Sequence, residues 1–467
     1  MKMWSGRFRQ ALDPEFELWQ RSFQFDRRLL KYELQASAAH AKALKSAGIL
    51  SADELINILD GLQKIADDSA VSQSSLQDDD AEDVHHFVEK QLVARIGELG
   101  YKLHSGRSRN EQIATDLRLF VRAAIDQLRA DLAEVCAALI DSAEQAGSAA
   151  MPAFTHTQHA EPVLVAHWLL AYVEMFWRDA DRLADCRKRL NLCPLGSGAV
   201  AGATLAIDRS GLAAELEFDA PTDNSIDATA DRDFALEFVN ALSLCALHLS
   251  RWAEEMIVFS SQEFAFLRLP EAYSTGSSAM PQKKNPDLPE LVRGKCGRII
   301  GNATALMITM KGLPLAYNKD LQETQQPLFD AADAVIGMLP LVAGFVKAVE
   351  FDYPRMNEAA STGFMNAWAA ATYLVQRGVP SRLAHELIGK AVKLAIKKNC
   401  ELQDLTLAEL QALSPAFDES FYERLNLSSV LAIHDVPGGT APARVRQGIA
   451  SAKKKIEALR EEIHAHA

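Results

Sequence analysis

Between Gly106 and Gly147 the chain has neither glycine nor proline, and the same holds from Val163 to Cys193 and from Thr222 to Leu269. A protein built from strands needs turn residues far more often than that. Ala, Leu, Glu and Arg dominate the three runs, and Val165, Trp168, Tyr172 and Met175 recur at helical spacing in the second. Three long helices are expected, each on the order of 40 Å or more at 1.5 Å per residue. Pro162 sits where a first helical turn tolerates it, and Pro194 follows the end of that helix. A fourth helical pattern, Leu288–Lys311, carries Gly294, Gly297 and Gly301. Each glycine costs roughly 1 kcal/mol in a helix, so the cluster predicts close contact with another helix. A fifth pattern runs from beyond Asp320 toward Val349, with Pro327 and Pro340 as expected kinks.

These lengths predict an all-α fold with a central bundle whose faces pack against other subunits as well as each other. At 467 residues the chain exceeds one ordinary core. Shorter helical stretches on either side of the long ones divide it into an N-terminal helical domain (1–108), a central long-helix domain (109–358) and a small C-terminal helical domain (359–467). The net charge of −13 argues against a nucleic-acid or anionic-membrane partner, so an anionic ligand needs a local basic site. Six cysteines without CxxC spacing predict reduced thiols in a cytoplasmic setting. The opening MKMWSGRFRQ lacks the apolar core of a signal peptide. The apolar stretch Val335–Val349 is broken by Gly337, Pro340, Gly344 and Lys347 and reads as too short to span a bilayer.

Several segments are polar in ways that a helical core does not need. Ser274–Pro289, STGSSAMPQKKNPDLP, sets small hydroxyl residues beside Gln282, Lys283, Lys284 and Asn285, and its Gly276, Pro281 and Pro286 forbid regular structure. That composition suits a loop closing over an anion. His104-Ser-Gly-Arg-Ser-Arg-Asn110 enters the first long helix with free amides and two guanidiniums, a good carboxylate site. Thr155-His-Thr-Gln-His159 precedes the second long helix, and imidazole suits proton transfer near neutral pH. Asp78–Asp83 is an acidic run before His85 and His86, and Tyr317–Gln322 reads as a helix start with Asp320 near the cap. His156 and His159 are spaced three apart, but no HExxH and no Cys/His set accompanies them. Gly196-Ser-Gly198 with Gly202 is neither a Walker loop nor a dinucleotide fingerprint, and no strand is expected before it. No metal and no nucleotide cofactor is expected.

The stretch GSSAMPQKKNP resembles the signature of the fumarase/aspartase/argininosuccinate lyase superfamily. The likeness covers nearly the whole chain: Trp4–Phe8, DAEDVHHFVE, LHSGRSRNEQ, THTQHAEPV, PLGSGAVAG, Ala230–Asp233, KGLPLAYNKDLQ and GGTAPARV. Fumarase, aspartase and adenylosuccinate lyase share the signature loop but differ at Gly106–Asn110 and Lys311–Gln322. The whole therefore resembles the argininosuccinate lyases. That resemblance implies a homotetramer with each active site assembled from three subunits. It also implies cofactor-free, reversible β-elimination of argininosuccinate to arginine and fumarate, the last step in making arginine.

By the same resemblance His156 and Ser277 exchange the protons, with acid and base unassigned between them, and Glu290 orients the histidine. Lys283, Asn285, Ser108 and Thr155 match the groups that meet the fumarate half. Ser22, Asp83, Asn110, Tyr317 and Gln322 match contacts to the arginine half. The chain departs from the family pattern in two places. Glu111 stands where an Asp is usual, which is expected to matter little. Gln322-Glu323-Thr324-Gln325 stands for Gln-Glu-Asp-Lys, so the lysine expected at position 325 is absent. Gln325 keeps open a related fumarate-releasing lyase acting on a different amine adduct; a silent structural protein is the other alternative.

Overall fold

The computed structural model describes residues 10–71 and 80–465, so Trp4–Phe8 and the first two residues of the acidic run lie outside the described residues. Five helices of 24 to 38 residues occupy the middle of the chain: Arg109–Ala146, Val165–Leu190, Asp233–Phe259, Asp287–Met310 and Gln325–Ala348. The longest is about 57 Å at 1.5 Å per residue. Its start is fixed locally by a capping arrangement. The Ser108 amide donates to Glu111 Oε1 (2.9 Å), and Ser108 Oγ accepts from the Asn110 amide (3.3 Å). Gly106, at φ +67°, makes the turn before it; a Cβ there would meet Leu205 at 2.8 Å.

The chain forms two compact units. In the first (Met1–Gln127, Arg182–Ser243, Arg298–Ala334), Ala36, Ala39 and Ala43 of helix Leu30–Ser46 pack with Leu119, Leu195 and Phe218. Small residues on one face let the helix seat close to its neighbours, and each buried Leu or Phe contributes about 1.5–3 kcal/mol. Arg118 is buried there, donating to the Leu190 carbonyl (2.8 Å) and pairing with Asp231. In the second unit (Leu128–Asp181, Leu244–Gly297, Val335–Ala467), rings of Phe154, Phe259, Phe264 and Phe266 cluster at centroid distances of 5.4 to 6.1 Å. A separate core in the same unit gathers Tyr373, Leu374, Leu387, Leu410, Phe417 and Phe421.

The fold is mostly helical, as expected, and the described residues include four two-stranded pairs that the helical reading did not foresee. Pro162 lies in strand Gln158–Leu164 instead of a first helical turn, and the helix begins at Val165. The run Thr222–Leu269 is not one helix. Ser225–Ala230 is a separate turn-and-a-half capped by Asn224, and Leu267–Arg268 pairs with Glu350–Phe351. A two-residue strand, Leu192–Cys193, does precede Gly196, paired in parallel with Ala220–Pro221. At Gly294, Gly297 and Gly301 an added Cβ would meet nothing within 4 Å, so the close contact expected of them does not occur within this chain. Pro340 is accommodated inside the helix Gln325–Ala348, making it longer than the broken sequence suggested. With the preceding turn it is long and apolar enough to cross a membrane by length and composition alone; 61% of that window is buried in the protein, as in a core helix. The cysteines are free thiols, all buried except the half-buried Cys400.

Candidate active-site residues

The first unit holds a cavity of about 180 Å³ where four separate stretches of chain converge. Five residues expected at the arginine half, Ser22, Asp83, Asn110, Tyr317 and Gln322, all line it. Ser22 stands just before the short helix Phe23–Asp26; its amide donates to the Glu82 carbonyl (2.9 Å) and its hydroxyl to Asp26 Oδ2 (2.5 Å). Asp83 caps helix Val84–Ile96, accepting from the His86 amide at 2.7 Å, which aims its carboxylate at the cavity wall. Arg109 lies 3.2 Å from Asp83 and 3.4 Å from Glu82. Burial alone would raise the Asp83 carboxyl, but Arg109 and His85 outweigh it and hold the group below the usual range. Asn110 donates to the Ala199 carbonyl (3.2 Å) and Gln322 to the Gln20 carbonyl (3.1 Å), so both amides are oriented. Burial pushes the Tyr317 phenol up, leaving it a hydrogen-bond donor at neutral pH.

Sequence reasoning missed Asp26. It is 1% exposed, and burial together with the nearby Asp83 pushes its carboxyl up to about 7. Its only sequence signal is a carboxylate four residues after Ser22 on a helical turn. Glu111, the longer carboxylate in place of the usual Asp, is fully buried, and its Oε2 accepts from the amides of Gly196 (2.6 Å) and Gly198 (3.0 Å). A carboxylate there ties the start of the long helix to the glycine loop. Arg107 does not offer the free guanidinium expected of it. Its side chain is 5% exposed and directed at Ser37 (2.8 Å) and Glu33 (3.7 Å). Gln325 lines the cavity at 3% exposure, and its Oε1 has no partner among the described residues. Asp320 lies near the cap, as expected: Asn318 precedes the 3₁₀ turn Lys319–Thr324, and Asp320 is in its first turn.

Behind the cavity wall, His85 Nε2 is 3.0 Å from Asp116 Oδ2 and 3.7 Å from Glu33 Oε2, all three buried. This trio has metal-ligand chemistry. Its two carboxylates are, however, already matched by His85 and Arg107, so it reads as a buried ion-pair network. Burial opposes the charge on His85, but Asp116, Glu33 and Asp83 overcome it and push the imidazole up to about 9 from an ordinary 6.5. The sign of the consequence is definite. Stability from His85 is fully present below pH 6.5 and is lost as pH rises through about 9. Urea unfolding at pH 6 and pH 9.5 checks this: wild type loses stability over that interval, and His85→Gln should shrink the loss.

In the second unit, Thr155 and His156 sit at the tip of a hairpin, Ala150–Thr155 with Gln158–Leu164, which leads into the second long helix. His156 (φ 53°) and Thr157 (φ 60°) form the two-residue turn, both in the left-handed region that glycine or asparagine normally occupies. Each such residue costs about 1–3 kcal/mol, a strain that persists only where the surroundings impose it. His156 is exposed, and among the described residues no hydrogen bond joins it to Glu290, which is exposed in the first turn of Asp287–Met310. The signature loop is closed at its base by pairing Thr275–Gly276 with Lys284–Asn285. Ser277 Oγ accepts from the amides of Ala279 (3.3 Å) and Met280 (3.1 Å), two donors aimed at its oxygen. Lys283 is exposed; Asn285 donates to Thr275 Oγ1 (3.3 Å). Ser108, by contrast, is engaged in the helix cap of the first unit.

A lyase family model matches residues 6–301, and a model described as argininosuccinate lyase C-terminal matches 364–432. The argininosuccinate lyase of Koribacter versatilis is 61% identical over 467 residues, covering 100% of both chains. That of Acidobacterium capsulatum is 58% identical over 97% of this chain and 95% of its own. Among solved structures, EDDS lyase in complex with formate is similar with a TM-score of 0.85 at 26% identity, covering 98% of this chain and 92% of that one. The class II fumarase of Schistosoma mansoni shares the fold at TM-score 0.74 and 18% identity, over 85% and 90% of the two chains.

Proposed function

Because the chain belongs to the argininosuccinate lyase family, we propose that the cavity of the first unit holds the arginine half of argininosuccinate while Ser277 and His156 move the protons. The enzyme is an argininosuccinate lyase: it cleaves argininosuccinate reversibly to arginine and fumarate, in arginine biosynthesis. The observation that carries the reading of the site is the convergence of Ser22, Asp83, Asn110, Tyr317 and Gln322 from distant parts of the sequence on one cavity. Its carboxylates suit a guanidinium, and its oriented amides, hydroxyl and phenol suit the polar remainder of an amino acid.

The chemistry sets what else is needed. The proton to be removed is alpha to a carboxylate and only weakly acidic. Its loss makes a doubly charged aci-carboxylate, so donors must concentrate on that group. Lys283, Asn285, Thr155 and Ser108 are the donors assigned to it. Ser277, with two backbone amides directed at its oxygen, is suited to carry negative charge as it develops. The guanidinium leaving group needs a proton from the opposite side, the work left for the other member of the Ser277–His156 pair, with Glu290 orienting the imidazole.

The site is completed between subunits of a homotetramer. The helix Asp287–Met310 supports this: Leu291, Ile300, Met307 and Ile308 are 44 to 64% exposed beside the open Gly294, Gly297 and Gly301. Apolar residues beside glycines on one helix are what a second helix needs for close approach. Following fumarate absorbance with argininosuccinate, adenylosuccinate and aspartate as substrates tests the reading. Turnover of argininosuccinate alone is expected; preference for another adduct would overturn it.

Gln325 gives a narrower test. The substrate's amino-acid carboxylate meets a neutral amide here, where the resemblance leads one to expect a lysine. A charge-assisted bond is worth roughly 1.5–3 kcal/mol, and the amide retains part of it. Gln325→Lys is expected to lower KM several-fold and leave kcat nearly unchanged, because the contact is remote from the breaking bond and holds ground and transition states alike.

A further inference from the structure

The hairpin that presents His156 is poorly equipped to hold itself. Its register is interrupted by a bulge between Pro152 and Phe154, just past the point where Pro152 faces Pro162. Its tip is a left-handed turn without glycine. Two-stranded hairpins are marginal in water even with good turns and intact ladders. Something outside the hairpin must therefore fix the strained tip.

The residues that do so come from far along the chain. Ala150 and Leu164 are directly opposed at the base of the hairpin. The Ala150 amide donates to Asn357 Oδ1 (2.8 Å), and the Leu164 amide donates to Thr440 Oγ1 (2.8 Å). The two strands are thus gripped at the same level, one by helix Tyr353–Ala360 and the other by the turn after Val436. Thr440 is 5% exposed, so water does not replace its hydroxyl. The turn that delivers it is tight: the Gly439 amide donates to the Val436 carbonyl (2.9 Å), and a Cβ on Gly439 would come within 2.1 Å of the His434 carbonyl oxygen. His434 also approaches Glu161 of the second strand, at 3.5 Å.

We propose that Asn357 and Thr440 are positioning residues for the elimination, clamping both feet of the hairpin so that its tip presents His156 in one orientation. The inference rests on the catalytic reading of His156 given above. The clamp takes up the outward-facing amides of the Ala150–Leu164 pair, which the two strands do not bond to each other. It acts on the chemical step and leaves the arginine-half cavity alone, because the hairpin contributes no residue to that cavity.

The test compares Thr440→Val, which keeps the shape and removes the acceptor, with Thr440→Ser, which restores it; Asn357→Leu and Asn357→Asp form the second pair. For each, kcat, KM and amide hydrogen exchange of the peptide 150–164 are measured on the full-length enzyme. Thr440→Val and Asn357→Leu are expected to lower kcat roughly 10- to 100-fold with KM changed less than about twofold, and to speed exchange in that peptide. Serine and aspartate should recover both. Unchanged exchange, or a kcat loss that serine does not rescue or that only tracks the folded fraction, would overturn the proposal. If the valine variant does not fold, the half-buried Asn357 pair carries the same comparison. His156→Asn in parallel separates the two readings. If it keeps turnover, the catalytic reading of His156 has failed. If it is inactive while Thr440→Val loosens the hairpin without lowering kcat, the positioning idea has failed.

Discussion

Replacing Ser277 by alanine or His156 by asparagine is expected to lower kcat by roughly 100-fold to 10,000-fold, the usual contribution of a positioned acid or base. For Ser277 the loss is also one of charge stabilisation, since the amides of Ala279 and Met280 converge on its oxygen and have no equivalent target in alanine. Folding should survive both changes. Ser277 lies in a short loop closed by Thr275–Gly276 and Lys284–Asn285, and His156 is exposed at a turn. Asparagine at 156 even suits the left-handed turn better than histidine does, so a drop in turnover there cannot be assigned to strain. Steady-state kinetics with argininosuccinate, alongside urea melts, decides the matter. Either variant with near-normal turnover removes that residue from the mechanism.

Asp83→Asn is expected to weaken substrate binding, raising KM roughly 10- to 100-fold, the worth of a charge-assisted hydrogen bond in a sheltered site. It also removes one of the two carboxylates beside Arg109, leaving that guanidinium with Glu82. The larger effect appears on mixing. If each active site draws Asp83 and Ser277 from different subunits, Asp83→Asn and Ser277→Ala chains reassembled together will form some sites with only wild-type segments. Activity should then rise well above either parent. Verified mixed tetramers showing no recovery would argue that each chain completes its own site.

The long Gly/Pro-free runs made the helices legible, because helix formation is local and every residue within a run votes the same way. The signature loop, the Gly106–Asn110 segment and Tyr317–Gln322 stood out in the sequence because their polar residues serve no apolar core. Pro162 was misread because a proline is equally at home before a helix or in an edge strand; only the partner strand, paired at Pro152, decides between them. The turn at His156 and Thr157 was not legible for a similar reason: it is one that their own backbone preferences oppose, so it is imposed by tertiary contacts.

Composition and periodicity by themselves determined that this chain is mostly helical, and its motifs determined which family of lyases it resembles. Tertiary structure alone decided that Ser22, Asp83, Asn110 and Tyr317 share a cavity, that Asp26 lies buried among them, and that Glu111 locks a glycine loop. It also decided that Asn357 and Thr440 grip the hairpin of His156. The physical reason is range. Helix propensity and capping act over a few residues and are written in adjacent letters. Burial, ion pairing and the filling of unpaired backbone donors join residues hundreds of positions apart, and their energies exist only once the chain has brought them together.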